Sequence, residues 1–268
     1  MTTSEPKDQW ASGASYEPYV GRWSRLVARE FVRWLAVAPH AYWLDIGCGT
    51  GALSQTILEV ADPQVVRGVD TSESYLEDAR KRIQDPRAEF LVGEATALPV
   101  SSAAYDAVVS GLVLNFVAQP DQALREMVRA VRKGGLLAAY MWDYADQMQL
   151  IRFFWEAATA LDPEAGALDE GQRFPLCQPE PLLHLFQTAG LEQVEACSIT
   201  VPTTFHDFDD YWTPFLGGQG PAPFYVRSRS EAQRGALQDR LRAILPIAPE
   251  GALHLIARAW AVRGVWEP

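Results

Sequence analysis

The stretch WLDIGCGTGAL, residues 43–53, joins an apolar run containing one acid, Asp45, to three alternating glycines, Gly47, Gly49 and Gly51. Glycine lets a backbone turn tightly and lets a ligand approach without meeting a Cβ. YWLDI (42–46) reads as a buried strand and ALSQTILEV (52–60) as a helix, so the glycines form the turn between them. A glycine turn between strand and helix is a floor on which a nucleotide-like ligand can rest.

Outward from that turn the pattern repeats. VVRGVD (65–70) is a second strand ending at Asp70. SESYLEDARKRIQ (72–84) is a helix, with capping-box spacing at Ser74-x-x-Glu77. AEFLVGEA (88–95) and YDAVVSGL (105–112) are the third and fourth strands. QALREMVRAVRKGG (122–135) is a helix stopped by Gly134 and Gly135, and LLAAYMW (136–142) is the fifth strand. Upstream, Tyr19, Val20, Trp23, Val27, Phe31 and Trp34 recur at helical spacing, with Pro39 closing the helix and residues 1–15 a loose arm. Strands alternating with helices predict a parallel sheet with right-handed crossovers. In such sheets ligands bind beyond the carboxyl ends of the strands, where strand order reverses. The glycine turn, Asp70, Glu94 and Ser110 all fall there.

After Trp142 the pattern loosens. QLIRFFWEAATAL (149–161) and PEPLLHLFQTAG (179–190) read as helices, the second stopped at Gly190. LEQVEACSITVP (191–202) and ALHLIARAWAVRG (252–264) read as strands. The segment between them is rich in aromatics and prolines, as in FHDFDDYWTPFLGGQGPAPFYV (205–226). A structureless loop of that length is disfavoured, so it reads as a partly helical insertion, a lid over the strand ends that suits a flat or apolar substrate.

Composition narrows the function classes. The 268 residues are 48% hydrophobic and 21% charged, a globular balance with ample material for a core. The net charge is −11 and no basic patch stands out, which argues against nucleic acid and for a neutral or cationic small molecule. Cys48, Cys177 and Cys197 are odd in number and widely spaced, pointing away from a disulfide framework and toward a reducing cytoplasm. The N-terminus MTTSEPKDQW has no apolar signal core, and LLAAYMW is too short to span a bilayer. The expectation is a cytoplasmic protein without membrane insertion. His40, His184, His206 and His254 are scattered without metal-ligand spacing, so no metal is expected. No G-x-S-x-G elbow supports a hydrolase.

Gly47-x-Gly49-x-x-Ala52 also satisfies the dinucleotide fingerprint, with Asp70 near the ribose position. Two acids tilt the reading. Asp45 would repel a pyrophosphate but attract an ammonium, and S-adenosylmethionine carries an ammonium and a sulfonium. Glu94, in VGEATALP, can accept a hydrogen bond from an adenine amino group. LDIGCGTG, VVRGVD, VGEATALP and YDAVVSGLVLNFV, taken in order, resemble the successive motifs of class I S-adenosylmethionine-dependent methyltransferases, in the ubiquinone/menaquinone-methyltransferase-like group.

The resemblance covers roughly residues 16–142. It implies an α/β, Rossmann-like, seven-stranded and mostly parallel sheet with helices on both faces and the last strand antiparallel. It implies one methyltransferase domain over 1–268, with an N-terminal arm and helix (1–38), a cofactor-binding core (41–142) and an acceptor-side half (143–268) that carries the insertion at about 203–250. Within the core, Asp45 orients the methionine ammonium, directly or through water, and Gly47, Cys48, Gly49 and Gly51 admit the methionine portion and ribose. Asp70 grips the ribose hydroxyls, while Thr71 and Ser72 either line the adenosine side or cap the helix. Leu76 either packs on adenine or joins the core. Glu94 and the Ala95 backbone read the adenine edge, although the family more often has Asp at the first of these. Ser110 offers its carbonyl to the ammonium; Leu112, Asn115 and Phe116 lie where cofactor and acceptor meet. Tyr16 or Tyr19 and Arg22 are candidates to close over the cofactor, Arg22 by pairing with its carboxylate. Trp142 and Asp143 are candidates for the acceptor pocket, and His206 and Asp143 are the candidate catalytic groups. The expected activity is methyl transfer from S-adenosyl-L-methionine, leaving S-adenosyl-L-homocysteine, to an O, N or C nucleophile of a small molecule. The rival readings are an NAD(P)-dependent oxidoreductase and a non-catalytic S-adenosylmethionine-binding module. The sequence does not set the oligomeric state.

Overall fold

The computed structural model describes residues 21–217 and 220–267. Their order is α1 (Arg22–Leu35), β1 (Tyr42–Ile46), α2 (Ala52–Val60), β2 (Val65–Asp70), α3 (Glu73–Arg82), β3 (Ala88–Val92), β4 (Tyr105–Gly111), α4 (Pro120–Ala130), β5 (Val131–Trp142), α5 (Gln149–Leu161), α6 (Glu170–Arg173), α7 (Pro179–Thr188), β6 (Glu192–Phe205), α8 (Phe208–Trp212), α9 (Pro221–Ser228), α10 (Glu231–Ile244) and β7 (Leu253–Val265). The strands form one seven-stranded sheet in the order β3-β2-β1-β4-β5-β7-β6. The pairs from β3 through β5 are parallel, and β7 runs antiparallel to β5. This is the mostly parallel sheet expected from the sequence, with its final strand reversed.

β1 is central and its last four residues, Asp45 among them, are buried, as suits a strand covered on both faces. The chain leaves β1 toward β2 and β3, then returns to β4 on the other side of β1. Strand order therefore reverses between β1 and β4, and the glycine turn leaves β1 at that point.

Several boundaries differ from the sequence reading. The helix expected to run to Gly134 stops at Ala130, and β5 begins at Val131. Val131 is already extended, and the pairing register with β4 shifts between Tyr105 and Ala107. Gly134 (φ +74°) and Gly135 serve that irregularity: a Cβ on Gly135 would lie 2.5 Å from Val131 and 3.0 Å from the Asp106 carbonyl. α3 is capped by Ser72, whose hydroxyl accepts from the Tyr75 amide, rather than from Ser74. α1 ends at Leu35, before Pro39, where Ala36 takes φ +50°.

The described residues fall into two compact units. One comprises 24–142, 176–199 and 259–267; the other comprises 143–175 and 200–258 with residues 21–23. The first holds most of the sheet and its helices, with Phe31, Trp43, Leu44, Ile57, Val108 and Met141 fully buried.

The second unit is built from aromatics. Phe154 stacks on Phe215 at 4.5 Å between ring centroids and meets Trp155 edge-on at 4.9 Å. Tyr211 packs against Phe205 and Phe215, and its hydroxyl donates to the Leu150 carbonyl at 2.9 Å. The aromatic segment expected to face a flat substrate thus spends Phe205, Tyr211, Phe215 and Tyr225 on its own core. Only Leu216 and Phe224 among its large apolar side chains are prominently exposed. Glu170 is buried here, accepts from the Trp155 indole, and is pushed up to about 7 by burial.

Candidate active site

The three glycines of the turn all have positive φ: +70° at Gly47, +52° at Gly49 and +84° at Gly51. Their surroundings separate their roles. A Cβ on Gly47 would lie 2.5 Å from the Val113 side chain, and one on Gly51 would lie 2.6 Å from Ile83. Those two glycines let neighbouring elements close on the turn. A Cβ on Gly49 would meet nothing within 4 Å, so open space lies beside it. Gly51→Ala is expected to lower stability by roughly 2–3 kcal/mol, from left-handed strain plus contact with Ile83. Gly49→Ala carries only the strain, roughly 1–2 kcal/mol, but places a methyl group in the cradle and should weaken cofactor binding more than Gly51→Ala does. Paired denaturant and ligand titrations check the contrast.

Asp45 is 1% exposed. The Ser54 hydroxyl donates to its Oδ2 at 2.6 Å, while Oδ1 is buried with no partner among the described residues. Burial pushes this carboxyl up to about 7; the Ser54 hydrogen bond opposes that shift and the nearby Asp70 adds to it. A buried carboxylate oxygen without a donor is an open demand for a cation or a proton. The sequence reading missed Ser54; its signal was a small hydroxyl residue inside the first turn of the helix that follows the glycines.

Asp70 ends β2 beside the turn. Its Oδ2 accepts from the Gly49 amide at 2.9 Å and its Oδ1 from the Ser72 amide at 2.9 Å. Each oxygen thus receives one donor, and a carboxylate oxygen can accept two. The Gly47 and Cys48 amides both donate to the Val69 carbonyl, drawing the turn against β2. The Cys48 thiol packs toward Gly68 and is pushed well above its ordinary range by burial, so it stays a thiol. Tyr75, half-buried on α3, is pushed up to about 12, chiefly by burial.

At the end of β3, the Gly93 amide donates to the Asp70 carbonyl, and Glu94 pairs with Ala97 in a tight reversal. Glu94 is exposed and Ala95 half-buried there. Ser110 is buried on β4 and its hydroxyl donates to the Ile46 carbonyl at 2.9 Å, tying β4 to the end of β1. Leu112 follows with φ +62°, its amide donating to the Tyr140 carbonyl. Asn115 lies in a short 3-10 turn (Leu114–Phe116), its Nδ2 buried without a partner among the described residues. The fold therefore brings Asp45, Gly47, Gly49, Asp70, Glu94, Ser110 and Leu112 to the carboxyl ends of β1 to β4. Ser72 serves as a helix cap, Thr71 is exposed, and Leu76 is fully buried.

Two further candidates have partners of their own. Asp143 is 2% exposed and accepts from the Asp146 and Gln147 amides and the Arg258 guanidinium, which commits it to a structural knot. The His206 side chain is 91% exposed and pairs with Asp207 at 3.2 Å. Tyr16, Tyr19 and the Arg22 side chain lie outside the described residues. Among the described residues no group of three His, Cys, Asp or Glu side chains is placed to hold a metal ion, and no helix is long and apolar enough to cross a membrane.

This geometry fits S-adenosylmethionine. The bare Asp45 oxygen suits an ammonium, the paired acceptors of Asp70 suit a ribose diol, and Gly49 has open space beside it. Comparison with known proteins agrees. Residues 44–139 match the family model described as a methyltransferase domain. A 2-phytyl-1,4-naphthoquinone methyltransferase of Thermosynechococcus vestitus is 33% identical, covering 61% of this chain and 78% of the relative. A demethylmenaquinone methyltransferase of Lysinibacillus sphaericus is 27% identical, covering 71% of this chain and 85% of the relative. In fold, the chain is similar to phosphoethanolamine N-methyltransferase 2 of Haemonchus contortus, solved with S-adenosylhomocysteine, with a TM-score of 0.58 at 15% identity, over 95% of this chain and 57% of that one. From the glycine turn to the reversed final strand, the chain belongs to the class I S-adenosylmethionine-dependent methyltransferases, of the ubiquinone/menaquinone-methyltransferase type.

Proposed function

We propose that this enzyme methylates a small aromatic acceptor of the quinol class, with Asp45 and the Ser110 carbonyl taking the cofactor's ammonium, Asp70 its ribose hydroxyls, and Glu94 with the Ala95 backbone its adenine edge. The unpartnered, buried Oδ1 of Asp45 carries the cofactor half of this reading. The two relatives named for demethylmenaquinone and 2-phytyl-1,4-naphthoquinone support the acceptor half.

S-adenosylmethionine, when bound, supplies a methyl carbon on a positive sulfur, already activated toward in-line displacement. The chain's own work is positional. Asp45 and Asp70 anchor the two ends of the cofactor, so that the methyl group is presented in one direction. Alignment of this kind supplies on the order of 7–11 kcal/mol.

Thermal unfolding with S-adenosylmethionine, S-adenosylhomocysteine, NAD and NADP, each alone, tests the cofactor. The first two at about 100 times their dissociation constants should raise the midpoint by roughly 5–10 °C; a rise with NAD or NADP alone would turn the reading to hydride transfer. Incubation of S-adenosylmethionine with reduced 1,4-naphthohydroquinone, read by mass spectrometry, tests the acceptor. A methylated naphthoquinol supports the proposal. Cofactor binding without methylation of this or alkyl-substituted quinols would sink the acceptor class and leave the cofactor standing.

A further inference from the structure

Asp45 and Ser54 sit on consecutive elements, the acid on β1 and the hydroxyl in the first turn of α2. Both are buried, Asp45 to 1% exposure and Ser54 to 0%. The 2.6 Å bond from Ser54 occupies Oδ2 and fixes the plane of the carboxyl group. Oδ1 is then the one oxygen left for a ligand. We propose that Ser54 is a positioning residue of the cofactor site, and that binding of S-adenosylmethionine exchanges a proton on Asp45 for the ligand's ammonium. The inference rests on the reading that this turn holds the cofactor's amino-acid end.

A carboxylate this deeply buried, with Ser54 its only source of hydrogen-bond donors among the described residues and Oδ1 left unpartnered, is costly to keep ionised. Near neutrality and below, the free enzyme therefore holds a proton there, consistent with the upward push to about 7. An ammonium arriving at Oδ1 supplies the missing charge and donor, so the proton leaves as the ligand enters. Ser54 sets both sides of the exchange. Its hydrogen bond favours the ionised form that the ammonium needs, and it directs that ammonium to one oxygen.

The groups on Asp45 and around the glycine turn do not mimic the effect. From β2, Asp70 already accepts the Gly49 and Ser72 amides. From the turn, the Cys48 thiol is held well above its ordinary range, and from α3 Tyr75 is held at about 12; neither titrates below neutrality. Arg80 is turned to Glu73 and the Phe90 carbonyl. From β4, Ser110 donates to the Ile46 carbonyl. A ligand α-amino group titrates above neutrality and stays charged below pH 7.

The test is calorimetric titration of the wild-type enzyme with S-adenosylhomocysteine at pH 6 and pH 7, in buffers of contrasting protonation enthalpy. Release of nearly one proton per ligand at pH 6, with binding about fivefold weaker than at pH 7, supports the exchange. 5′-Methylthioadenosine, which lacks the amino-acid tail, should bind with no proton release and no such pH dependence. Ser54→Ala should weaken S-adenosylhomocysteine about tenfold at pH 7 and move the pH midpoint upward, while leaving 5′-methylthioadenosine unchanged. S-adenosylhomocysteine binding that releases no proton and is flat with pH overturns the exchange. A Ser54→Ala enzyme with wild-type affinity and midpoint overturns the positioning role. Failure of both ligands to bind overturns the cofactor reading beneath them.

Discussion

Asp45→Asn and Asp45→Ala should each weaken S-adenosylhomocysteine binding by about 100-fold or more and lower kcat/KM for S-adenosylmethionine by a similar factor. Removing one partner of a buried charged pair leaves the other uncompensated, at roughly 3–5 kcal/mol. Asp45→Asn should not destabilise the ligand-free protein. The carboxyl is raised from 3.8 to about 7 in the folded chain. Below both values the group is protonated folded and unfolded alike. Between them the unfolded chain has released its proton while the folded chain retains it, so stability falls as pH rises from about 4 to 7. Above 7 the folded state bears the full burden of a buried, half-satisfied carboxylate. Asp45→Asn keeps an oxygen for the Ser54 hydroxyl and removes that burden. Its ligand-free melting midpoint should therefore exceed that of the wild type at pH 8, with the difference shrinking toward pH 4, while ligand-induced stabilisation vanishes. Melting curves at the two pH values, with and without S-adenosylhomocysteine, measure both effects. An unaltered ligand response would remove Asp45 from the site.

Phe154→Ala should lower stability by roughly 3–5 kcal/mol, or roughly 6–20 °C in melting midpoint. Phe154 is 0% exposed and touches three rings: Phe215 stacked at 4.5 Å, Trp155 at 4.9 Å and Tyr225 edge-on at 6.2 Å. Deleting it opens a ring-sized cavity and removes pair energies beyond area burial. Phe224→Ala is the control, an aromatic in the same unit but 47% exposed, and should shift stability by at most about 0.5 kcal/mol. Near-ultraviolet circular dichroism during urea unfolding follows the aromatic cluster directly. Equal effects from the two substitutions would mean that Phe154 does not anchor this core.

β1, β2, α2 and α5 were legible in the sequence to the residue, because each is a short run whose periodicity and ends are local. The glycine turn and its acids were legible for the same reason. What local pattern missed was set by partners distant in sequence. Val131–Gly135 reads as the end of a basic helix, yet pairing with β4 draws it into β5 through a shifted register. The aromatic segment reads as a surface for a flat ligand, yet α5 lies elsewhere in the chain and supplies the rings that bury it.

The sequence by itself determined the strand–glycine–helix unit, the succession of acids at strand ends, and through their order the family. Those are properties of spacing along one chain, and spacing is what a sequence records. Only the tertiary structure decided how each glycine is used, that Asp143 accepts from Arg258, and that Asp45 has one oxygen tied to Ser54 and one left bare. Burial and hydrogen-bond saturation are set by contacts between segments, and they exist only once the sheet has brought those segments together.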